Sequence, residues 1–343
     1  MAGVQRRALP DRKPSWNLAR DIMLFHRSSL GPTSVLVWLL ALLCGAPPGA
    51  VGYVNSNALV KECTVARLVG GLRLNRILVD EAEVNADNTV VLEKDDYRFN
   101  HIRTILKLEE GDSLKLGVTD VGLTDDGCVR NSSKAAVVLF LGAPGTLDTS
   151  SAAHAAACCV DLLLAVPRPL RLERLLPIIA CMGVGQLVLL GAAKVEKDYF
   201  GSHLFRRPDE MRRGFVEGLS QAAVDVRCPT VSVHKRLGDF LSDDLDARFP
   251  PEIYKRVIAH PPSAGQPEQR LMSLPADGAR QTRVVVAVGP EGGWEDQEVQ
   301  LFLDRGFEPV SLGGRILRTD MAVPVLLGLA HEWVALRGGQ RQV

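Results

Sequence analysis

The chain has 343 residues, enough for two domains with at least one sizeable core, and its composition is that of an ordinary globular protein. Forty basic and forty acidic residues balance, which excludes a protein that coats nucleic acid through bulk charge but leaves room for a local basic face. The seven cysteines show no C-x-x-C pair and no zinc spacing, so we expect no metal site and no structural disulfides.

Residues 1–70 are predicted to be a targeting extension. Basic residues such as Arg12, Arg20 and Arg27 precede an apolar run at 35–46, and small residues follow it. The run is shorter than the ~20 residues that a membrane span needs. A basic flank before a short apolar stretch is typical of a cleaved targeting segment, with a membrane anchor or a mispredicted first exon as alternatives. No stable membrane association is expected after processing.

Residues 71–141 are predicted to form a small β-barrel. Four short runs of strand character, NRILVD, NTVVLE, DSLKLGV and AAVVLFL, are separated by acidic or glycine-containing turns. Residues 95–112 predict a short helix and a turn, because Ile102, Ile105 and Leu108 recur near helical spacing. The stretch 142–159 is rich in alanine, serine and glycine, and it predicts a linker or an insertion.

Residues 160–338 are predicted to form an α/β domain with a mostly parallel sheet. Apolar runs of strand length, such as VDLLLAV, QLVLLG and RVVVAV, alternate with amphipathic helical patterns. Ligands of such sheets bind beyond the carboxyl ends of the strands. Two glycine-containing loops, GPEGG at 289–293 and LGGRILRTD at 312–320, are expected at that edge.

The two loops differ in how much they indicate. GPEGG lets backbone approach a ligand closely, but it matches neither a Walker A nor a G-x-G-x-x-G pattern, so a plain turn is an alternative. In the second loop, Arg315 and Arg318 lie beside glycines and can hold an anion or stabilise developing negative charge. Thr319 or Asp320 can also cap the helix that follows, and the two interpretations are compatible.

Several stretches together resemble one protein family. VGPEGGWEDQEV, GFEPVSLGGRILRTDMA and HIRTILKLEEGD are similar to the bacterial RsmE-like small-subunit rRNA uridine-N3 methyltransferases. LLGAAKVEKDYFGSHLF, EGLSQA, FLSDD and IAHP follow in the family's order, so the resemblance spans about 72–336. GPEGG and LG-x-RILRT are highly specific as a pair, although each alone is only a hypothesis.

The resemblance implies a PUA-like β-barrel that helps to hold RNA and a SPOUT domain, an α/β fold whose end is tied in a deep trefoil knot. It also implies a homodimer that binds S-adenosylmethionine through the backbone of three loops, with small-subunit ribosomal RNA or a pre-ribosomal particle as partner. On this sequence the cofactor-binding residues are expected to be Leu190, Gly191, Gly289, Pro290, Glu291, Gly292, Gly293, Leu312, Gly313, Arg315, Ile316, Leu317, Arg318 and Thr319.

Uridine N3 must lose its proton before it can attack the methyl group of the cofactor. Arg318 is the first candidate to stabilise the resulting uridinate oxygen. Asp320 or Glu291 is the candidate proton acceptor. The alternative for Glu291 is an acid that favours the positive end of a helix dipole.

RNA contacts are expected from basic residues near the first helix and beyond the second strand of the α/β domain: Arg98, His101, Arg103, Lys194 and Lys197. Phe99 among them suits base stacking beside phosphate contacts. The alternative for this cluster is a solvated helix face, which is favoured for Lys107.

The chain departs from the family pattern at several places, among them Pro324 near the start of the closing helix and one extra residue in SQAAVDVRCP. RTDMA replaces R-T-E-T-A at 318–322, and ACMGV replaces T-E-L-G-V at 180–184, so the acid of the second motif is lost. Two other functions therefore stay open: an RNA-binding or ribosome-assembly factor without activity, and a SPOUT methyltransferase with another RNA target. A bacterial type of enzyme with a targeting segment predicts a plastid or mitochondrial location, with the cytoplasm as alternative.

Overall fold

The computed structural model describes residues 76–149, 159–262, 267–275 and 281–338. The predicted targeting extension and residues 150–158 of the predicted linker lie outside the described residues. Within the described ranges, none of the helices combines the length and the apolar character that crossing a bilayer requires. The same ranges contain no group of side chains able to hold a metal ion.

The first sheet has five strands, and most of its pairings are antiparallel. Its strands are β1 (Ile77–Val79), β2 (Thr89–Glu93), β3 (Ser113–Val118), β4 (Gly122–Ser132) and β5 (Ala136–Phe140). The spatial order is β1-β3-β4-β5-β2, and β1 alone pairs in parallel, with β3. Four strands lie where the sequence predicts them. The long strand β4 was missed because its register shifts against both neighbours, which breaks the alternation of apolar and polar residues.

One helix packs on this sheet. α1 (Tyr97–Asn100) continues as a π-helical turn (His101–Leu106) that ends at Lys107 in the left-handed region. Phe99 and Ile102 point into the core that the five strands form. The predicted short helix is therefore confirmed, and its apolar face covers the inner surface of the sheet.

The second sheet has six strands, all parallel. They are β6 (Val160–Ala165), β7 (Val184–Leu190), β8 (Thr230–His234), β9 (Tyr254–Ala259), β10 (Arg283–Val288) and β11 (Glu308–Val310). Their order is β11-β9-β10-β6-β7-β8. The predicted parallel α/β architecture is confirmed. Strand β9 was missed because two of its residues are cations, Lys255 and Arg256, which are buried against Glu308 and Asp246.

Helices cover this sheet. They are α2 (Pro169–Cys181), α3 (His203–Arg206), α4 (Pro208–Ala222), α5 (Leu237–Asp239), α6 (Leu245–Arg248), α7 (Asp296–Leu303) and α8 (Thr319–Gly338). A π-helical turn (Phe240–Asp244) joins α5 to α6, and short 3-10 turns lie at Glu81–Glu83, Lys197–Gly201 and Leu271–Ser273. Helix α8 packs on β10, β6 and α2, and α4 packs on α2.

Arg76 joins the first sheet to α4 within the compact unit of residues 71–343. Its backbone N–H donates to the Ser220 carbonyl at 2.9 Å. Its buried guanidinium donates to the carbonyl oxygens of Leu116 and Thr124, and it pairs with Asp125. Since a buried guanidinium needs several acceptors at once, this residue fixes where the five-stranded sheet meets the α/β part.

Candidate functional site

Three loops converge at the carboxyl ends of neighbouring strands. They follow β9 at 259–262, β10 at 288–294 and β11 at 310–317, and Glu268, Thr319 and Ala322 complete the lining. The loops enclose a cavity of about 580 Å³, a size that suits a small organic ligand. The site therefore lies at the sheet edge where the sequence predicts it.

Glycine is required at three points of the cavity wall. Gly293 and Gly313 have φ of 72° and 112°, a region that residues with a Cβ rarely adopt. A Cβ on Gly289 would lie 3.1 Å from Nε1 of Trp294, whose buried indole N–H has no partner among the described residues. At these points the wall is bare backbone, which suits a ligand recognised partly through main-chain N–H and carbonyl groups.

Glu291 ties the GPEGG loop to another part of the domain. Its carboxylate accepts hydrogen bonds from the backbone N–H of Arg168 at 3.1 Å and from the side chain of Arg171 at 3.0 Å. Arg168 is the N-cap residue of α2. The alternative role of Glu291, an acid at the positive end of a helix dipole, thus applies to the start of α2. It does not apply to α7, which begins only at Asp296.

The loop after β11 is held by a segment that the sequence analysis did not single out. The Ser311 N–H donates to the Gln269 carbonyl at 2.8 Å, and the Ser311 hydroxyl donates to Oε1 of Glu268 at 3.0 Å. The hydrogen bond from Ser311, together with the side chain of Arg270, holds the pKa of Glu268 below its ordinary value. We name residues 267–270 the strap. No motif in its sequence, PEQR, signals this role.

Arg318 and Asp320 form an ion pair at 3.0 Å where α8 begins. The Arg318 side chain is 64% exposed, whereas Oδ1 of Asp320 is buried without a partner among the described residues. The predicted cap is wrong: the carbonyl of Arg318 accepts from the Ala322 N–H, so Arg318 occupies the cap position. The Thr319 hydroxyl instead donates to the Gly289 carbonyl at 3.3 Å and joins two of the loops.

Leu190 and Gly191 lie at the end of β7 and do not line this cavity, so the expected third loop is not part of its wall. A Cβ on Gly191 would overlap the carbonyl group of Lys235, so the glycine serves close packing of two backbones. Residues 259–262 after β9 line the cavity in place of that loop. The IAHP segment already marked them, but the cations of β9 hid the strand that positions them.

The lysines beyond β7 touch the site only from outside. Nζ of Lys194 donates to the Gly292 carbonyl at 3.2 Å, and both Lys194 and Lys197 are exposed. Arg103 is exposed as well and donates to the Ser132 hydroxyl at 2.6 Å. His101 lines a second cavity, of about 410 Å³, between the first sheet and α4. The structure leaves these four side chains accessible, but it does not bring them together.

Arg98 and Phe99 are not available to RNA, contrary to expectation. The Arg98 side chain is 12% exposed, pairs with Glu83 and Asp96, and donates to the Leu78 carbonyl. Phe99 is buried in the core of the first sheet. The RFNHIR segment combined a core-facing aromatic with a structural arginine, and sequence alone cannot separate these from exposed ligand-binding groups.

Replacing Arg98 by alanine is therefore expected to lower the free energy of unfolding by about 2–3 kcal/mol, since two half-buried carboxylates and one carbonyl lose their donor. Arg103→Ala removes an exposed arginine of the same helical segment and is expected to change it by less than about 0.5 kcal/mol. Chemical denaturation of both variants measures the difference. Equal stability of the two would contradict the structural role of Arg98.

The contribution of Arg98 is also expected to depend on pH. The hydrogen bond from Arg98 lowers the pKa of Glu83, and although burial opposes the shift, the same side chain lowers the pKa of Asp96. Groups with a depressed folded pKa stabilise the fold above their unfolded pKa, about 4 for both, and lose that contribution as the pH falls further. The stability difference between wild type and Arg98→Ala should therefore shrink from pH 6 to about pH 3 in denaturation titrations. A constant difference would contradict this coupling.

A model of the RNA methyltransferase domain family matches residues 154–331. Ribosomal RNA small subunit methyltransferase E of Treponema pallidum is 26% identical over 264 residues, which cover 76% of this chain and 93% of that protein. A probable rRNA-methyltransferase of Porphyromonas gingivalis has a solved structure that superposes with a TM-score of 0.54 at 20% identity, covering 76% of this chain and 99% of that one. Ribosomal RNA small subunit methyltransferase E of Neisseria gonorrhoeae, solved with S-adenosyl methionine, gives 0.52 at 19% identity over 74% of this chain and 95% of that one. At these identities the two structures indicate a shared fold.

Proposed function

Because the chain belongs to the RNA methyltransferase domain family, as an RsmE-like member, we propose that it transfers a methyl group from S-adenosylmethionine to N3 of a uridine in small-subunit ribosomal RNA. One observation carries the proposal: residues 289–293 of GPEGG and residues 312–317 and Thr319 of LGGRILRT line one and the same cavity. The sequence pairs these two motifs, and the fold brings them to neighbouring strand ends.

S-adenosylmethionine is the cofactor, and the residues present fit it. The cavity has the volume for a ligand of this size, and its glycine-rich walls offer main-chain groups for the adenosine and methionine parts. The loops at 259–262, 289–293 and 312–317 would hold it. When bound, the cofactor supplies an activated methyl group on a sulfonium.

The protein's own residues would prepare the uridine. Arg318 lies between two residues that line the cavity, Leu317 and Thr319, and its exposed side chain would stabilise the negative oxygen of the uridinate. Asp320, its ion-pair partner, would accept the N3 proton directly or through water. Glu291 is the weaker candidate for this step, because Arg171 and the Arg168 N–H already occupy its carboxylate.

We extend the proposal to the finer fold and to RNA binding. The five-stranded sheet with α1 would be a PUA-like barrel, and the chain around β10, β11 and α8 would form the trefoil knot of SPOUT proteins. The fold likeness to two rRNA methyltransferase structures supports both assignments. His101, Arg103, Lys194 and Lys197 remain the proposed contacts to ribosomal RNA.

An apolar stripe on α8 supports a homodimer. Met321, Val325 and Leu336 are exposed on one face of the helix, and Ile316 just before it is 99% exposed. The exposed Glu332 lies between Val325 and Leu336 on this face, but exposed apolar side chains clustered on one side of a helix are typical of an interface, and a two-fold symmetric one is the commonest. Sedimentation velocity should give the mass of a dimer for the wild type and of a monomer for Val325→Glu.

The targeting extension leads to a proposal about location. We place the protein in a plastid or a mitochondrion on the basis of residues 1–70 and the bacterial type of its relatives. Residues 1–70 fused to a fluorescent protein should direct it to one of these organelles. Diffuse cytoplasmic fluorescence would contradict the location but not the activity.

The activity itself is tested with labelled S-adenosylmethionine and unmodified small-subunit ribosomal RNA. After incubation, the RNA is digested and its nucleosides are identified by mass spectrometry. We expect labelled 3-methyluridine. A different methylated nucleoside would overturn the proposed target, and cofactor binding without any transfer would favour an RNA-binding or ribosome-assembly factor.

A further inference from the structure

Two carboxylates line the cavity along the described chain, and their surroundings differ. Glu291 accepts from Arg171 and from the Arg168 N–H at the start of α2, and its side chain is 23% exposed. A fixed cation and a helix terminus thus compensate its charge. The compensation holds at short range, and the Arg171 side chain is only 25% exposed, so Glu291 contributes little net charge to the cavity.

Glu268 is compensated less completely. Its charged partner is Arg270, at 3.0 Å, on a side chain that is 55% exposed and therefore screened by water. Its other partners are uncharged: the Ser311 hydroxyl and the backbone N–H of Gly313. The pKa of Glu268 is lowered, first by that hydroxyl and then by Arg270, so the carboxylate is ionised at neutral pH. The strap thus brings a negative charge to the cavity wall beside Gly313.

Methyl transfer changes the charge of the bound cofactor. The bond between sulfur and the methyl carbon breaks, sulfur keeps the electron pair, and the carbon bonds to the N3 electron pair after the N3 proton has gone to a base. The sulfonium, with one positive charge, becomes a neutral thioether. A negative charge on the cavity wall therefore attracts the substrate form of the cofactor more than the product form.

On the basis of the function proposed above, we propose that Glu268 makes the cavity select by charge, binding S-adenosylmethionine more tightly than the S-adenosylhomocysteine that remains after transfer. Its charge thereby favours the exchange of spent for fresh cofactor. Arg315 also lines the cavity and opposes this attraction, so the discrimination is the balance of the two. One partly screened charge pair is worth about a five- to tenfold change in a dissociation constant.

Glu268→Gln in the full chain tests this, because it keeps the shape of the side chain and removes its charge. Isothermal titration calorimetry gives the dissociation constants of S-adenosylmethionine and of S-adenosylhomocysteine for each protein. The variant should bind S-adenosylmethionine about five- to tenfold more weakly and S-adenosylhomocysteine within about twofold of the wild type. Glu109→Gln makes the same change in net charge at an exposed position shortly before β3. It should alter the dissociation constant of neither ligand.

A second variant predicts a change in the opposite direction. Arg270→Gln removes the partner of Glu268, so the preference for S-adenosylmethionine should increase by about two- to fivefold. Added salt should reduce the preference of the wild type for S-adenosylmethionine over S-adenosylhomocysteine, since Glu268 and Arg270 of the strap are exposed and salt screens exposed charges.

The outcomes separate this inference from the proposed function. If the wild type binds both ligands and Glu268→Gln weakens both equally, Glu268 only shapes the loop and this inference fails alone. The same holds if Arg270→Gln lowers the preference. If the wild type binds neither ligand, the proposed function fails and this inference fails with it.

Discussion

Replacing Arg318 by alanine is expected to lower the rate of methyl transfer about 100- to 1,000-fold while changing the dissociation constant of S-adenosylmethionine by less than about threefold. Removing one donor that stabilises developing negative charge typically costs this much in rate. The side chain is exposed, follows the cavity-lining Leu317 in the chain, and is bound only to Asp320 among the described residues. Its loss should therefore affect the transition state rather than the fold or the cofactor.

Arg236→Ala is the matched control for this prediction. Arg236 is also an exposed arginine in an ion pair, with Asp239, but it follows β8, which β6 and β7 separate from β10 in the sheet. Single-turnover rates with ribosomal RNA and calorimetry with the cofactor should separate the two variants. Equal loss of activity, or a collapse of cofactor binding in Arg318→Ala, would contradict the proposed role.

Replacing Gly218 by alanine is expected to lower the free energy of unfolding by about 3 kcal/mol or more. Alanine alone would favour the interior of α4 by about 1 kcal/mol through helix propensity. The new Cβ, however, would overlap the carbonyl group of Pro177 and lie 2.9 Å from its Cα. Because these are backbone atoms of α2, the two helices must separate, and overpacking of this kind costs more than propensity gains.

Gly201→Ala provides the comparison for the packing argument. A Cβ at Gly201 would meet nothing within 4 Å, and its φ is not in the left-handed region. Its stability should stay within about 0.5 kcal/mol of the wild type. Denaturant unfolding measures both. A mild effect of Gly218→Ala would show that α2 and α4 can move apart cheaply, which would contradict their close packing.

The sequence predicts the layout of this protein where its patterns are strong. The parallel sheet followed from apolar runs such as VDLLLAV and RVVVAV, which stay buried on both faces. The site followed from two glycine-containing loops placed after such strands. Strand β9 could not be predicted in this way, because Lys255 and Arg256 interrupt its apolar pattern. Their charges are compensated by Glu308 and Asp246, which come close only in the folded chain.

The errors in the site have a common physical origin. The sequence shows residue types but not which partner each one has. The sequence predicts Arg98 as an RNA contact, but in the fold it pairs with Glu83 and Asp96. It predicts Gly191 as part of a ligand loop, but in the fold the backbone of Lys235 packs against it. Likewise, the strap became visible only through the hydrogen bonds of Glu268 to the last loop.

Hydrogen–deuterium exchange of the full chain with and without S-adenosylmethionine tests the central claim most directly, that the loops after β9, β10 and β11 hold the cofactor. We predict slower exchange on binding at Ala259 and His260, since Pro261 and Pro262 carry no backbone N–H, and at 289–294 and 311–318. Little change is expected at 190–191 and in the cleft between the first sheet and α4. Protection centred on 190–191 or on that cleft, with the three loops unaffected, would contradict the assignment of the site.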